Sequence, residues 1–407
     1  MRRFLLAATS AACVVGFAFA GDEEANAASV PATRAVPDAA GGGGPDDGLP
    51  SSKKVDEKRV PTRRDRLIQL MNESAGKKQE LAKEMDGMPP GEARDKAFEK
   101  RLEEINNQFA GKALDLARED AEDEIAFMAA FMAFGSGGGK KMTIDAGDFL
   151  LDHFANDRKI VSSIPQIANT KGGLRLLGQL GEKSRSKEIR GAALFALLDY
   201  EVDRIDYPLL GEPPLPADEA AAKFSVATDK LKKLGDEFAD VNVSTRLGDS
   251  VSEAARRKIY FIDNLTVGKK APDFECELLD GRKAKLSDFR GNVVILDVWA
   301  TWCAPCKAMI PHERELVERM KGKPFKFVSL SVDDEKATLT RFLEAEKMPW
   351  THLWNGPTGG FVEQYQIQFY PTIYVLDAQG TIRFKHVRGE KMDHAVETLL
   401  GEMSRSH

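Results

Sequence analysis

Two cysteines stand three positions apart in "WATWCAPCKAMIP", which runs from Trp299 to Pro311. At this spacing Cys303 and Cys306 could be a redox pair, half of a metal site, a haem anchor or a structural disulfide. Haem attachment needs histidine directly after the second cysteine, and Lys307 is there. Structural zinc needs two further ligands, and His312 is the sole nearby candidate. A thiol peroxidase would carry a P-x-x-x-T-x-x-C run, and Leu296 and Ala300 stand where its proline and threonine belong. The redox reading has positive support. The pair follows "VVILDVW", a continuous apolar run read as a buried strand, and opens a helix at Ala304. Unpaired N–H groups and the helix dipole at such a turn stabilise a thiolate. Cys303 is therefore expected at an exposed first position, as the attacking thiolate. Cys306, one turn inside, would attack the resulting mixed disulfide and release the product.

The elements that must position this pair begin at about Thr266. "DFECEL" alternates Phe274, Cys276 and Leu278 on one face, which makes Cys276 a buried small hydrophobe. Strands are predicted at "VVILDVW", "FKFVSLSV", "TIYVL" and "IRFKHV", with helices over Ala304–Met320, Glu335–Glu346 and Lys391–Leu400. Strand–helix–strand followed by a hairpin and a helix implies an α/β domain over residues 265–407. Residues 61–264 read differently. Apolar residues recur there at three and four, as in Phe98, Leu102, Ile105 and Phe109, and Gly- or Pro-rich breaks separate the runs. This predicts an all-α domain of consecutive helix pairs, similar to a helical repeat but without a fixed period. Residues 21–60, with "AAGGGGPDDG" at their centre, read as a disordered linker.

The N-terminus reads as an export signal over residues 1–20. Arg2 and Arg3 precede an apolar run from Phe4 to Phe19, and Ala18-Phe19-Ala20 is a cleavage site. Cleavage would discard Cys13 and leave the mature protein periplasmic or otherwise extracytoplasmic, with no lasting membrane span. The alternative is that the run stays as an N-terminal membrane anchor. The net charge of −6 and the lack of a basic stripe interleaved with aromatics argue against nucleic acid as a partner.

"DVWATWCAPCKAMIP", with "YPTIYVLD" far downstream, resembles the thioredoxin fold. The fuller run "APDFECELLDGRKAKLSDFRGNVVILDVWATWCAPC" is similar to the TlpA/ResA-like group of exported thiol–disulfide oxidoreductases. That resemblance implies an added hairpin over Phe274–Leu286, and protein-disulfide chemistry at Cys303 and Cys306 without metal or cofactor. It implies that Pro371, preceded by a cis bond, faces the pair. Tyr370 would offer backbone groups to an extended substrate segment, and Trp302 would flank the attacking cysteine. The expected partners are disulfide-containing or dithiol proteins and an electron donor. The chain departs from the group at two positions. Met309 replaces a glutamate common three residues after the second cysteine, and Asp297 replaces an asparagine common on the strand. The acid that tunes the pair is thus expected to have moved from helix to strand. A carboxylate amid "VVILDVW" costs several kcal/mol unless it is neutral or paired. The resemblance places Asp297 behind Cys306 as a proton acceptor. A proline before the second cysteine resembles reducing members, which sets the expected direction. Two other readings stay open: a binding protein whose helical domain acts while the thioredoxin module assists, and a thiol peroxidase.

Overall fold

The computed structural model describes residues 60–89, 91–207, 215–242, 250–356 and 360–405. The expected export signal and Cys13 lie outside the described residues, as do residues 21–59 of the expected linker. The described residues divide into two compact units, one of residues 60–160 and 169–179, the other of residues 161–168 and 180–405.

The first unit is helical, with α1 (Arg63–Asp86), α2 (Glu92–Arg118), α3 (Glu124–Gly135) and α4 (Lys140–Phe154) as its long elements. Two of their starts are written in the sequence. Thr62 and Asp65 form a reciprocal capping box on α1, and the Asp123 side chain accepts from the Ala126 N–H at the head of α3. Short helices α5 (Lys159–Ala168) and α6 (Gly173–Lys183) follow, with residues 161–168 and 180–183 belonging to the second unit.

In the second unit, α7 (Lys187–Asp206), α8 (Ala217–Glu237) and α9 (Val251–Asn264) precede the sheet. Val202, Ala227, Leu231, Ala255 and Ile262 bury their shared faces. The sheet has seven strands: β1 (Glu275–Leu278), β2 (Lys283–Lys285), β3 (Val293–Trp299), β4 (Phe325–Ser331), β5 (Thr351–Trp354), β6 (Thr372–Leu376) and β7 (Ile382–Lys385). Their order is β2-β1-β5-β4-β3-β6-β7. The β3, β4 and β5 strands are parallel, β6 and β7 run antiparallel beside β3, and β1 and β2 form the added hairpin at the other edge. The helices α10 (Ala304–Lys307), α11 (Ile310–Arg319), α12 (Lys336–Ala345), α13 (Gly360–Gln364) and α14 (Glu390–Arg405) complete it. The single helix expected over Ala304–Met320 is two helices, with Pro311 in the first turn of the second. Four-residue β5 was missed because "THLW" is too short to show a period. This is a C-terminal thioredoxin-like α/β domain preceded by a helical region.

Every residue of β3 is buried. Val294, Leu296 and Val298 enter one core layer, and Val293 and Ile295 enter the other. Both faces of the strand are covered, which is why "VVILDVW" is apolar at consecutive positions. Each fully buried aliphatic side chain contributes about 1.5–3 kcal/mol. By the same alternation Asp297 belongs with Val293 and Ile295. That layer also holds Leu316 and Met320 of the α11 segment and Met392, Val396 and Leu399 of α14.

The expected boundary at 264/265 falls inside the second unit. Lys385 at the end of β7 pairs with Asp206 of α7 at 2.5 Å, both side chains almost fully buried. Lys258 of α9 pairs with Asp199 and Asp203 at 2.5 and 2.9 Å. The Lys385 ammonium also lies 4.4 Å from the centre of the Phe261 ring.

Candidate active site

The end of β3 delivers the chain to the cysteine turn. Asp333, just past β4, holds that turn in place. Its carboxylate accepts from the Thr301 N–H at 3.1 and 3.2 Å, from the Thr301 hydroxyl at 2.7 Å and from Ser331 at 2.7 Å. Trp354 donates to the Asp333 carbonyl at 2.8 Å. Fully bonded, this buried carboxylate is a brace rather than a reactive group.

Cys303 is the N-cap of α10 and forms a disulfide with Cys306. The Cys303 Sγ accepts from the Cys306 N–H at 3.2 Å. This is one of the unpaired donors of a helix start, directed at the sulfur that must carry charge once the bond opens. The expected exposure of Cys303 is not met. It is 5% exposed and Cys306 4%. The reason is local: the bond to Cys306 and the N–H contact draw Sγ inward over the helix start. Trp302 is the exposed neighbour, at 62%.

The Trp302 and Tyr370 rings meet edge to face at 5.5 Å. The Tyr370–Pro371 bond is cis, and the Pro371 carbonyl accepts from Arg388 at 3.3 Å. Phe369, half exposed, packs on His386 at 5.1 Å. Trp302 and Tyr370 are thus brought together beside the cysteine turn. Asp297 stands apart from them, in the middle of β3, opposite Ser329 of β4 and Ile373 of β6. No hydrogen bond among the described residues joins it to either cysteine, and its Oδ1 is buried without a protein partner. Burial pushes its pKa up to about 7, against the opposing pull of Arg388.

The helix carries a second buried acid beside the expected one on the strand. Met309 does stand at the first position, but Glu313 of α11 is buried at 2% exposure. Burial, with the Asp297 charge, pushes its carboxyl up to about 9. Sequence reading missed it although a signal existed. In "MIPHERELVERM", Glu313 sits four residues after Met309 and three before Leu316, an apolar slot filled by an acid. Arg388, Asp333 and Thr301 were also missed, and nothing local in the sequence marks them. His312, the candidate metal ligand, is hydrogen bonded to Asp393 at 3.0 Å instead. Cys276 is a buried free thiol, and burial pushes its pKa up to about 12. It is unreactive at neutral pH.

Residues 267–385 match the AhpC/TSA family. The thiol-disulfide oxidoreductase ResA of Bacillus thuringiensis subsp. konkukian is 27% identical over 142 residues, 35% of this chain and 81% of that protein. The thioredoxin-like protein YneN of Bacillus subtilis is 31% identical over 124 residues, 30% of this chain and 71% of that protein. A solved thiol:disulfide interchange protein from Bacteroides sp. aligns at 26% identity with a TM-score of 0.33, covering 35% of this chain and 95% of that one. A cysteine pair at the head of a helix, a buried strand leading into it, and 31% identity to a thioredoxin-like protein over 71% of its length lead to one conclusion: this chain belongs to the thioredoxin-like thiol–disulfide oxidoreductases.

Proposed function

We propose that the protein is an exported, extracytoplasmic reductase of protein disulfides. Cys303 attacks a substrate disulfide, and Cys306 resolves the mixed disulfide by attacking the Cys303 sulfur. The observation that carries this reading is the Cys303 sulfur at the N-cap position of α10, taking the Cys306 N–H. Asp297 accepts the Cys306 proton, directly or through a water. Its unpartnered buried oxygen and a pKa pushed up to about 7 suit a base working near neutrality. Trp302, Tyr370 and Pro371 form the docking edge for an extended segment of the substrate. The partners are disulfide-bearing proteins and a separate thiol donor. No helix among the described residues is long and apolar enough to cross a membrane.

The test uses a Cys306→Ser variant, which should hold substrates on Cys303 as mixed disulfides. Alkylation of the reduced protein should label Cys303 at a pH well below that at which Cys306 or Cys276 reacts. Equal rates at all three would remove the assignment. The AhpC/TSA match favours a second reading, a thiol peroxidase. Consumption of hydrogen peroxide with a thiol donor, lost in a Cys303→Ser variant, would establish it. Leu296 and Ala300 at the peroxidase motif positions speak against it.

A further inference from the structure

Glu313 has no place in the mechanism above, yet its surroundings match those of Asp297. Strand alternation puts Asp297 in the core layer of Val293 and Ile295. Helical spacing puts Glu313 between Met309 and Leu316, which pack in that same layer. Among the described residues, neither carboxyl has an ion-pair partner. The groups on each surrounding element leave them so. On α11, His312 and Arg319 turn to Asp393 of α14, at 3.0 and 2.6 Å. On β4, the neighbour of Asp297 is Ser329, a neutral group that accepts from Trp350. On β5, His352 is buried, and burial lowers its pKa and keeps it neutral. On β6, the neighbour is Ile373. Arg388 acts on Asp297 through space while donating to Pro371. Cys306, in α10, lies seven positions before Glu313 of α11.

We propose that Glu313 is a positioning residue of the exchange reaction: it and Asp297 hold one proton between them in the core layer behind the cysteines, and Glu313, by keeping that proton, leaves Asp297 as the ionised acceptor for Cys306. The inference rests on Asp297 as base. Two ionised carboxyls in one low-dielectric layer repel, so the second proton is hard to remove. In the resolving step, the Cys306 thiol gives its proton to the Asp297 carboxylate. Its electron pair forms the bond to the Cys303 sulfur. The bond between Cys303 and the substrate sulfur breaks, and that pair leaves on the substrate thiolate, which takes a proton from water. The protein dithiol loses two electrons and the substrate disulfide gains them. Glu313 keeps its proton throughout.

Carboxyl-carbon NMR titration of the full-length oxidised protein tests this directly. Glu313 should titrate near pH 9 in the wild type and move down by about one pH unit in Asp297→Asn, where the neighbouring charge is gone. The rate of resolution, followed from a preformed mixed disulfide, gives a second measure. Glu313→Gln should keep the rise near pH 7 and lose the inflection near pH 9. A Glu313 midpoint in the ordinary carboxylate range, or one that Asp297→Asn does not move, overturns the proposal. Should Glu313→Gln not fold, the wild-type and Asp297→Asn titrations decide alone. Failure of the base reading looks different: Asp297→Asn would resolve at the wild-type rate from pH 6 to 8 whatever Glu313 does.

Discussion

The second unit buries two groups of charge, one against each face of its sheet, and they are built in opposite ways. On the face of Tyr374, Lys385 pairs with Asp206 and Lys258 with Asp199 and Asp203. Every cation there has a carboxylate within bonding distance. On the other face, Asp297 and Glu313 share a layer with aliphatic side chains and, among the described residues, have no bonded cation. Paired charges in a core hold helices to a sheet and stay fixed in ionisation. Unpaired carboxyls can change protonation state near neutral pH, which is what proton transfer needs. Burial lowers the Lys385 pKa against the opposing effect of Asp206, yet the pair stays bonded. Burial raises Asp297 into that range, to about 7, and burial with the Asp297 charge carries Glu313 above it, to about 9.

Breaking one partner of the paired group should give the largest effect. Asp206→Ala leaves the Lys385 ammonium buried alone and should cost about 3–5 kcal/mol in urea unfolding. A loss below about 1 kcal/mol would mean that the pair is not what joins α7 to β7. The same logic relocates a truncation. A chain that starts after Asn264 loses Asp206 and should be poorly folded, whereas one that starts near residue 161 keeps every residue of the unit.

Removing an unpaired carboxyl should do the reverse. The folded pKa of Asp297 lies above its unfolded value, so between about pH 4 and pH 7 the folded chain binds more protons than the unfolded one. Stability from this group therefore falls as pH rises through that window and stays low above it. Asp297→Asn should raise stability at pH 8 by on the order of 3 kcal/mol, change it little at pH 4, and still slow resolution by at least about tenfold. A variant less stable than the wild type at pH 8 would place Asp297 with the paired group.

Replacing both members of a pair sharpens the contrast. Asp206→Leu with Lys385→Met should come within about 1–2 kcal/mol of the wild type, because it removes the burial cost together with the attraction. A double variant as unstable as Asp206→Ala would mean that shape, not charge, is the requirement.

The smallest effect is expected at the exposed edge. Trp302→Ala should change stability by less than about 0.5 kcal/mol, since its ring is mostly in water. It should weaken reduction of a protein substrate several-fold and leave attack on a small disulfide nearly intact. Equal losses on both would make Trp302 part of the cysteine turn and not of the docking edge.

What the chain declared by itself was local. The Cys303/Cys306 spacing, the run "VVILDVW" and the period of the helices are short-range patterns. They carried the redox pair, the central strand and the helical character of the region before the sheet. Asp297 was conspicuous because an acid in an apolar run breaks a pattern. Cys276 was legible from alternation alone. Tertiary structure decided which acids lie in one layer, which cations pair, and where the compact units divide. Glu313 lies 16 positions from Asp297, and Lys385 lies 179 from Asp206. Desolvation and pairing depend on what surrounds a group in space. A sequence shows that an acid is present, and only the fold shows whether water or a cation reaches it.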